Sequence, residues 1–213
     1  LICLDIDAPL RGADLATVPE RNAPALWPPS ERGAAVAIAS GRPWSLLQEV
    51  AEQVGVVRYA VLSNGAAVLD AETGEWLYRN CLTEELRHRL LTLLLEERLP
   101  FEVYCEGKNY VQRDRLSSVL DCAFSQEFRT VLATHTTLPE DLDAALTGRP
   151  VEKIHIFRVP EDRRAGLLER ALACGPLTAV TSFPGNLEFT APGVSKGAAV
   201  QGLCARRGWS AEQ

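Results

Sequence analysis

Leu1-Ile2-Cys3-Leu4-Asp5-Ile6-Asp7 opens the chain as an apolar run that ends in two carboxylates. The run is short and β-type in composition, which predicts a strand buried in a parallel sheet. Alternation along an extended chain turns the Asp5 and Asp7 side chains the same way. Like charges that close repel unless a cation sits between them or one is protonated. A bound Mg²⁺ would resolve the conflict and takes oxygen ligands. An Asp carboxylate can also attack phosphorus to form an aspartyl phosphate. A neighbouring acid can then protonate the leaving oxygen and later activate water. Read alone, the pair is equally compatible with two solvated loop acids or a helix cap.

Outward from this strand, residues 34–39 are a second apolar run, followed by Ser40-Gly41-Arg42-Pro43. A helix is predicted from Pro43, with Leu46, Leu47, Val50, Ala51 and Val54 on one face and Gly55 as its stop. Residues 57–62 form a third strand ending in Ser63-Asn64-Gly65-Ala66, and strands at 67–70 and 75–80 flank a turn at 71–74. Strand, helix, strand, helix, strand implies a parallel α/β unit with its ligand site at the strand ends. A weak helix is expected over 18–33, kinked or ended by Pro28-Pro29. Ser40 and the free N–H groups of its turn could hold a phosphate oxygen, or Ser40 is a plain N-cap. Lys196, at the first turn of a helix capped by Ser195, could neutralise a phosphoryl group, or is an ordinary solvated lysine. Asn64 is either close to that chemistry or a turn-forming Asn-Gly.

The pattern changes near residue 82. Thr83 caps a leucine-rich helix that Pro100 ends, and strands are predicted at 101–105 and 109–113. Helices are expected near 122–132 and 138–147, a half-buried strand over 152–158, a helix over 160–174, and a hairpin of 177–183 with 186–190. This block reads as an α+β module inserted into the first domain. The three histidines, His88, His135 and His155, do not cluster and read as structural.

The 213 residues are 46% hydrophobic and 23% charged, which suits a globular protein with a substantial core. A net charge of −6 does not advertise nucleic-acid or anionic-membrane binding. No apolar run reaches membrane-spanning length, and the opening residues lack a basic leader, so a cytoplasmic setting is expected. Six cysteines are dispersed without a Cys-x-x-Cys pair, which predicts ordinary thiols. The absence of methionine and the start within a strand fit a trimmed chain.

Taken in order, four segments resemble motifs of the haloacid dehalogenase (HAD) superfamily, in particular its Cof-type, subclass IIB phosphatases. Leu4-Asp5-Ile6-Asp7 is similar to the family's Asp-x-Asp-Gly-Thr, and Ala39-Ser40-Gly41-Arg42-Pro43 to its Thr/Ser-Gly-Arg. Leu62-Ser63-Asn64-Gly65-Ala66 resembles its Ser-Asn-Gly-Ala, and Gly193-Val194-Ser195-Lys196-Gly197 its Gly-Val-Ser-Lys-Gly. The resemblance implies a Rossmann-like core of 1–81 and 185–213 with an inserted α+β cap at 82–184. It implies a Mg²⁺-dependent phosphomonoesterase of small phosphorylated metabolites, often sugar phosphates. Asp5 would be nucleophile and metal ligand. Asp7 would be the general acid/base, with its carbonyl also on the metal. Ser40, Gly41 and Lys196 would bind the phosphoryl group, with Asn64 close by, and the cap would exclude water and set specificity.

Two departures qualify this expectation. Ala8-Pro9 replaces the family's Gly-Thr, removing a hydroxyl, an N–H and backbone freedom. The family's fourth motif, Gly-Asp-x-x-Asn-Asp, does not follow Trp209–Gln213, and with it go further metal-binding carboxylates. A strand over 1–6 without that neighbour would be a sheet edge, so the natural chain is expected to continue beyond Gln213. Ser210–Gln213 itself resembles a capping box. The alternative function is a non-catalytic phosphometabolite-binding or interaction protein that keeps the fold.

Overall fold

The computed structural model of the chain describes residues 1–6 and 24–210. Asp7, Ala8, Pro9, the first part of the helix expected at 18–33, and residues 211–213 of the expected capping box lie outside the described residues. In chain order the strands are β1 (Ile2–Asp5), β2 (Val36–Ala39), β3 (Val57–Leu62), β4 (Ala67–Asp70), β5 (Trp76–Arg79), β6 (Phe101–Cys105), β7 (Lys108–Tyr110), β8 (Thr136–Thr137), β9 (Val151–Ile156), β10 (Thr178–Val180) and β11 (Leu187–Thr190). The α-helices are α1 (Trp27–Glu31), α2 (Gln48–Val54), α3 (Glu84–Glu96), α4 (Leu116–Leu120), α5 (Gln126–His135), α6 (Leu142–Leu146), α7 (Glu161–Cys174) and α8 (Lys196–Arg207). They divide into two compact units, Leu1–Arg79 with Val194–Gln213, and Asn80–Gly193.

The first unit is a five-stranded sheet in the order β1-β2-β3-β4-β5. The first three strands are parallel, and β4 and β5 are antiparallel additions. Alternate residues of β2 and β3 bury opposite ways. Ile38, Ala60 and Leu62 pack with Leu47, Val50 and Val54, while Ala37, Ala39, Tyr59 and Val61 pack with Ala199 and Leu203 of α8. A helix on each face explains why these strands read as unbroken apolar runs. β1 departs from its expected burial: Cys3 and Asp5 are exposed, and Ile2 and Leu4 only half-buried. Among the described strands it pairs with β2 alone, so one flank lacks a neighbour. Among the described residues, Pro28 and Pro29 do not end a helix. They lie in the first turn of the short α1, where their missing N–H groups have no intrahelical partner to lose.

The far end of α8 is fastened by a buried carboxylate. Asp70 accepts from Arg58 at 3.0 Å and Arg207 at 3.2 Å, and from the N–H groups of Glu72 and Thr73. The Asp70 side chain is buried while both guanidinium groups stay partly exposed, so the carboxylate depends on these bonds more than the arginines do. The helix carrying Lys196 is therefore held at its C-terminal end as well as along its buried face.

The second unit carries a six-stranded sheet in the order β10-β11-β9-β6-β7-β8, antiparallel except where β7 meets β8. One face packs on α3 and α7 through Leu90, Leu94, Leu167 and Ala171 against Phe101, Val103, Ile154 and Phe189. β11 pairs with β9 and β10, so the unit ends at Gly193 and not at the expected residue 184. The segment expected as a strand to 113 stops at Tyr110, the helix expected near 122–132 is α5, displaced to Gln126–His135, and the short α4 precedes it. β9 is almost wholly buried, since its polar residues are paired within the sheet. His155 Nδ1 lies 3.0 Å from Glu102, Tyr104 donates to Glu102 at 2.7 Å, and Lys153 lies 3.4 Å from Glu188. Burial opposes the Glu102 charge, but the hydrogen bonds from His155, Tyr104 and Asn109 outweigh it and hold the carboxyl below its usual range.

Among the described residues no helix is long and apolar enough to cross a membrane. All six cysteines are free thiols, and burial pushes the Cys105 thiol up to about 12.

Candidate functional site

The parallel strands bring three loops into line. Asp5 pairs in register with Ala39, and Ala39 with Val61, so Asp5, Ser40 and Ser63 mark the same edge of the sheet. In open α/β sheets that carboxyl edge is where ligands bind. The loops are stitched by backbone bonds: the Ser40 N–H donates to Val61 O at 2.9 Å, Asn64 N–H to Ser40 O at 3.1 Å, and Ser63 N–H to Arg42 O at 3.1 Å. Ser40 is fully buried, and its hydroxyl accepts from the Arg42 N–H at 3.2 Å, closing a tight turn through Gly41. Asn64 sits in the left-handed region at φ 64°, as its turn-forming chemistry allows.

Lys196 is the first residue of α8. Ser195 caps the helix, its hydroxyl accepting from the Ala198 N–H at 3.1 Å. A cation here runs against the helix macrodipole, and the first turn of α8 contains no acid to offset it. The offset comes from 191 residues away: Lys196 Nζ lies 2.9 Å from Asp5 Oδ2. The other Asp5 oxygen accepts the Ile6 N–H at 2.8 Å. An ammonium has three donors, so Lys196 can keep Asp5 and still bind a phosphoryl oxygen. The structure thus brings Asp5 and Lys196 into contact and joins the Ser40 and Asn64 turns through their backbones. Asp7 lies outside the described residues.

Among the described residues no group of three or more His, Cys, Asp or Glu side chains could hold a metal ion. Mg²⁺ is commonly bound by one or two carboxylates, with substrate phosphate and water completing its shell. The exposed Asp5 carboxylate is an oxygen donor of that kind, so the donor chemistry present fits such an ion.

The chain belongs to the haloacid dehalogenase-like hydrolases, whose family model matches residues 2–213. Solved structures share its fold. A haloacid dehalogenase-like hydrolase from B. subtilis superposes with a TM-score of 0.81 at 20% identity, over 100% of this chain and 80% of that one. One from Bacteroides thetaiotaomicron gives 0.77 at 21% identity, over 98% and 77%. A HAD subclass IIB sugar phosphatase gives 0.78 at 18% identity, over 99% and 77%. No curated protein matches the chain.

Proposed function

We propose that this hydrolase is a Mg²⁺-dependent phosphomonoesterase of small phosphorylated metabolites, such as sugar phosphates, working in the cytoplasm through an aspartyl phosphate. The observation that carries the reading is the contact between Asp5 and Lys196 at the carboxyl edge of the sheet. Asp5 attacks phosphorus as the bond to the leaving oxygen breaks, and Asp7 gives that oxygen its proton. Asp7 then takes a proton from water, whose oxygen attacks phosphorus and releases Asp5 and inorganic phosphate. The role of Asp7 rests on the motif it shares with the family. Lys196, Ser40 and the Gly41 N–H hold the phosphoryl oxygens, and Asn64 borders them. Asp5 and Asp7 would hold Mg²⁺, which when bound neutralises charge on the phosphoryl group. The inserted unit serves as the cap that selects the leaving group. The sugar-phosphate class is supported by the similarity of fold to a subclass IIB sugar phosphatase.

The test is hydrolysis of p-nitrophenyl phosphate by the chain with Mg²⁺, after EDTA, and after Mg²⁺ is restored. Turnover is expected only where Mg²⁺ is present. Turnover unaffected by EDTA contradicts the metal dependence. An inert protein that still binds inorganic phosphate makes it a binding protein with the same fold.

A further inference from the structure

Building on that phosphoryl-site reading, we infer that Gly65 is a positioning residue, which sets how closely the Ser63–Gly65 turn seats against the start of α8 and so where Lys196 stands relative to Asp5. A Cβ on Gly65 would lie 2.2 Å from the Ser195 carbonyl oxygen, 2.5 Å from its carbon and 2.9 Å from the Lys196 nitrogen. All three are backbone atoms, so no side-chain rotation makes room. The peptide approached is the one that leads into Lys196. Any larger residue forces the two backbones apart by most of an ångström, and Lys196 moves with its own nitrogen.

The turn has little freedom to retreat instead. Ser63, Asn64 and Gly65 have φ of 52°, 64° and 101°, three successive residues in the left-handed region. Two non-glycine residues in that region persist only where their surroundings hold them there. Here the holding bonds are the Asn64 N–H on Ser40 O and the Ser63 N–H on Arg42 O, both at 3.1 Å. The turn is therefore fixed to the phosphate-binding loop on one side and pressed on the Ser195–Lys196 peptide on the other. Gly65 gauges the distance between the two groups proposed to share one phosphate.

The experiment compares wild type, Gly65→Ala and Gly208→Ala for inorganic phosphate binding by calorimetry and for p-nitrophenyl phosphate turnover with Mg²⁺. Gly208 ends the same helix at φ +70°, but a Cβ there meets nothing within 4 Å. Its variant carries the left-handed penalty without the close approach. Both variants are expected to melt below wild type. Gly65→Ala alone is expected to weaken phosphate binding and to lower kcat/KM, each by about 10- to 100-fold, the scale of an ångström's misplacement. Wild-type phosphate affinity in Gly65→Ala, or an equal loss in Gly208→Ala, overturns the inference. A wild type that neither binds phosphate nor turns over overturns the phosphoryl-site reading itself. Should Gly65→Ala not fold, hydrogen exchange of the wild type decides. Phosphate is expected to slow exchange in Ala60–Val68 and Gly193–Val200 together, and protection of one segment without the other overturns the inference.

Discussion

Asp5→Asn is expected to abolish phosphatase turnover, lowering kcat by about 10⁴-fold or more, the scale seen when a covalent nucleophile is removed. Asparagine keeps the shape of the side chain and its place at the end of β1. Its amide oxygen can still accept from the Ile6 N–H. What it loses is the anionic oxygen proposed to attack phosphorus, so no acyl phosphate is expected to form. The competing explanation, loss of fold, is weighed by the pair's exposure. Asp5 and Lys196 side chains are 52% and 36% exposed, and ion pairs at that exposure contribute only about 0–1 kcal/mol. The melting temperature should therefore barely change while turnover disappears. Phosphate binding should persist or tighten, because Lys196 no longer shares its charge with a carboxylate. The measurements are kcat, thermal melting and phosphate calorimetry on one preparation. A variant with turnover within tenfold of wild type would remove Asp5 from the chemistry.

Lys196→Met should lower kcat/KM for p-nitrophenyl phosphate by about 10²- to 10³-fold, the usual effect of losing one preorganised donor to developing charge. Methionine keeps most of the apolar stem and suits a helix, and Ser195 still caps α8, so the fold should survive. The substitution also removes a cation that opposes the helix dipole, so the melting temperature should not fall. Inhibition by inorganic phosphate should weaken in parallel with kcat/KM. Lys196→Arg is expected to recover only part of the activity, since a planar fork does not occupy the place of a compact ammonium. Full activity in Lys196→Met would mean that the lysine only balances Asp5.

How much of this could be read from the sequence depends on how local each feature is. β2 and β3 were legible because a helix on each face makes their residues uniformly apolar. The positions of Ser40, Asn64 and Lys196 at element ends were legible because such punctuation is a local signal. Pro28 and Pro29 misled because the same residue that breaks a helix interior is at home in its first turn. β9 read as half-buried because Lys153 and His155 are polar. Their burial depends on Glu188 and Glu102 on neighbouring strands, which no window of sequence reveals. The boundary expected after residue 184 cut through a hairpin: β10 and β11 pair with each other, so both belong to the second unit. The contact of Asp5 with Lys196 spans 191 residues, and the approach of Gly65 to Ser195 is between backbones. Neither leaves a compositional trace beyond a glycine after an asparagine.

The step on which the proposed activity depends most is a covalent bond between Asp5 and phosphorus. It can be caught by mixing the protein with Mg²⁺ and p-nitrophenyl phosphate, denaturing it during turnover, and reducing it with borohydride. Borohydride converts an aspartyl phosphate to homoserine and leaves a free carboxylate untouched. Peptide mass spectrometry is expected to find homoserine at position 5 only when substrate was present. Homoserine at position 7 instead, or none at all in a protein that is turning over, would contradict it.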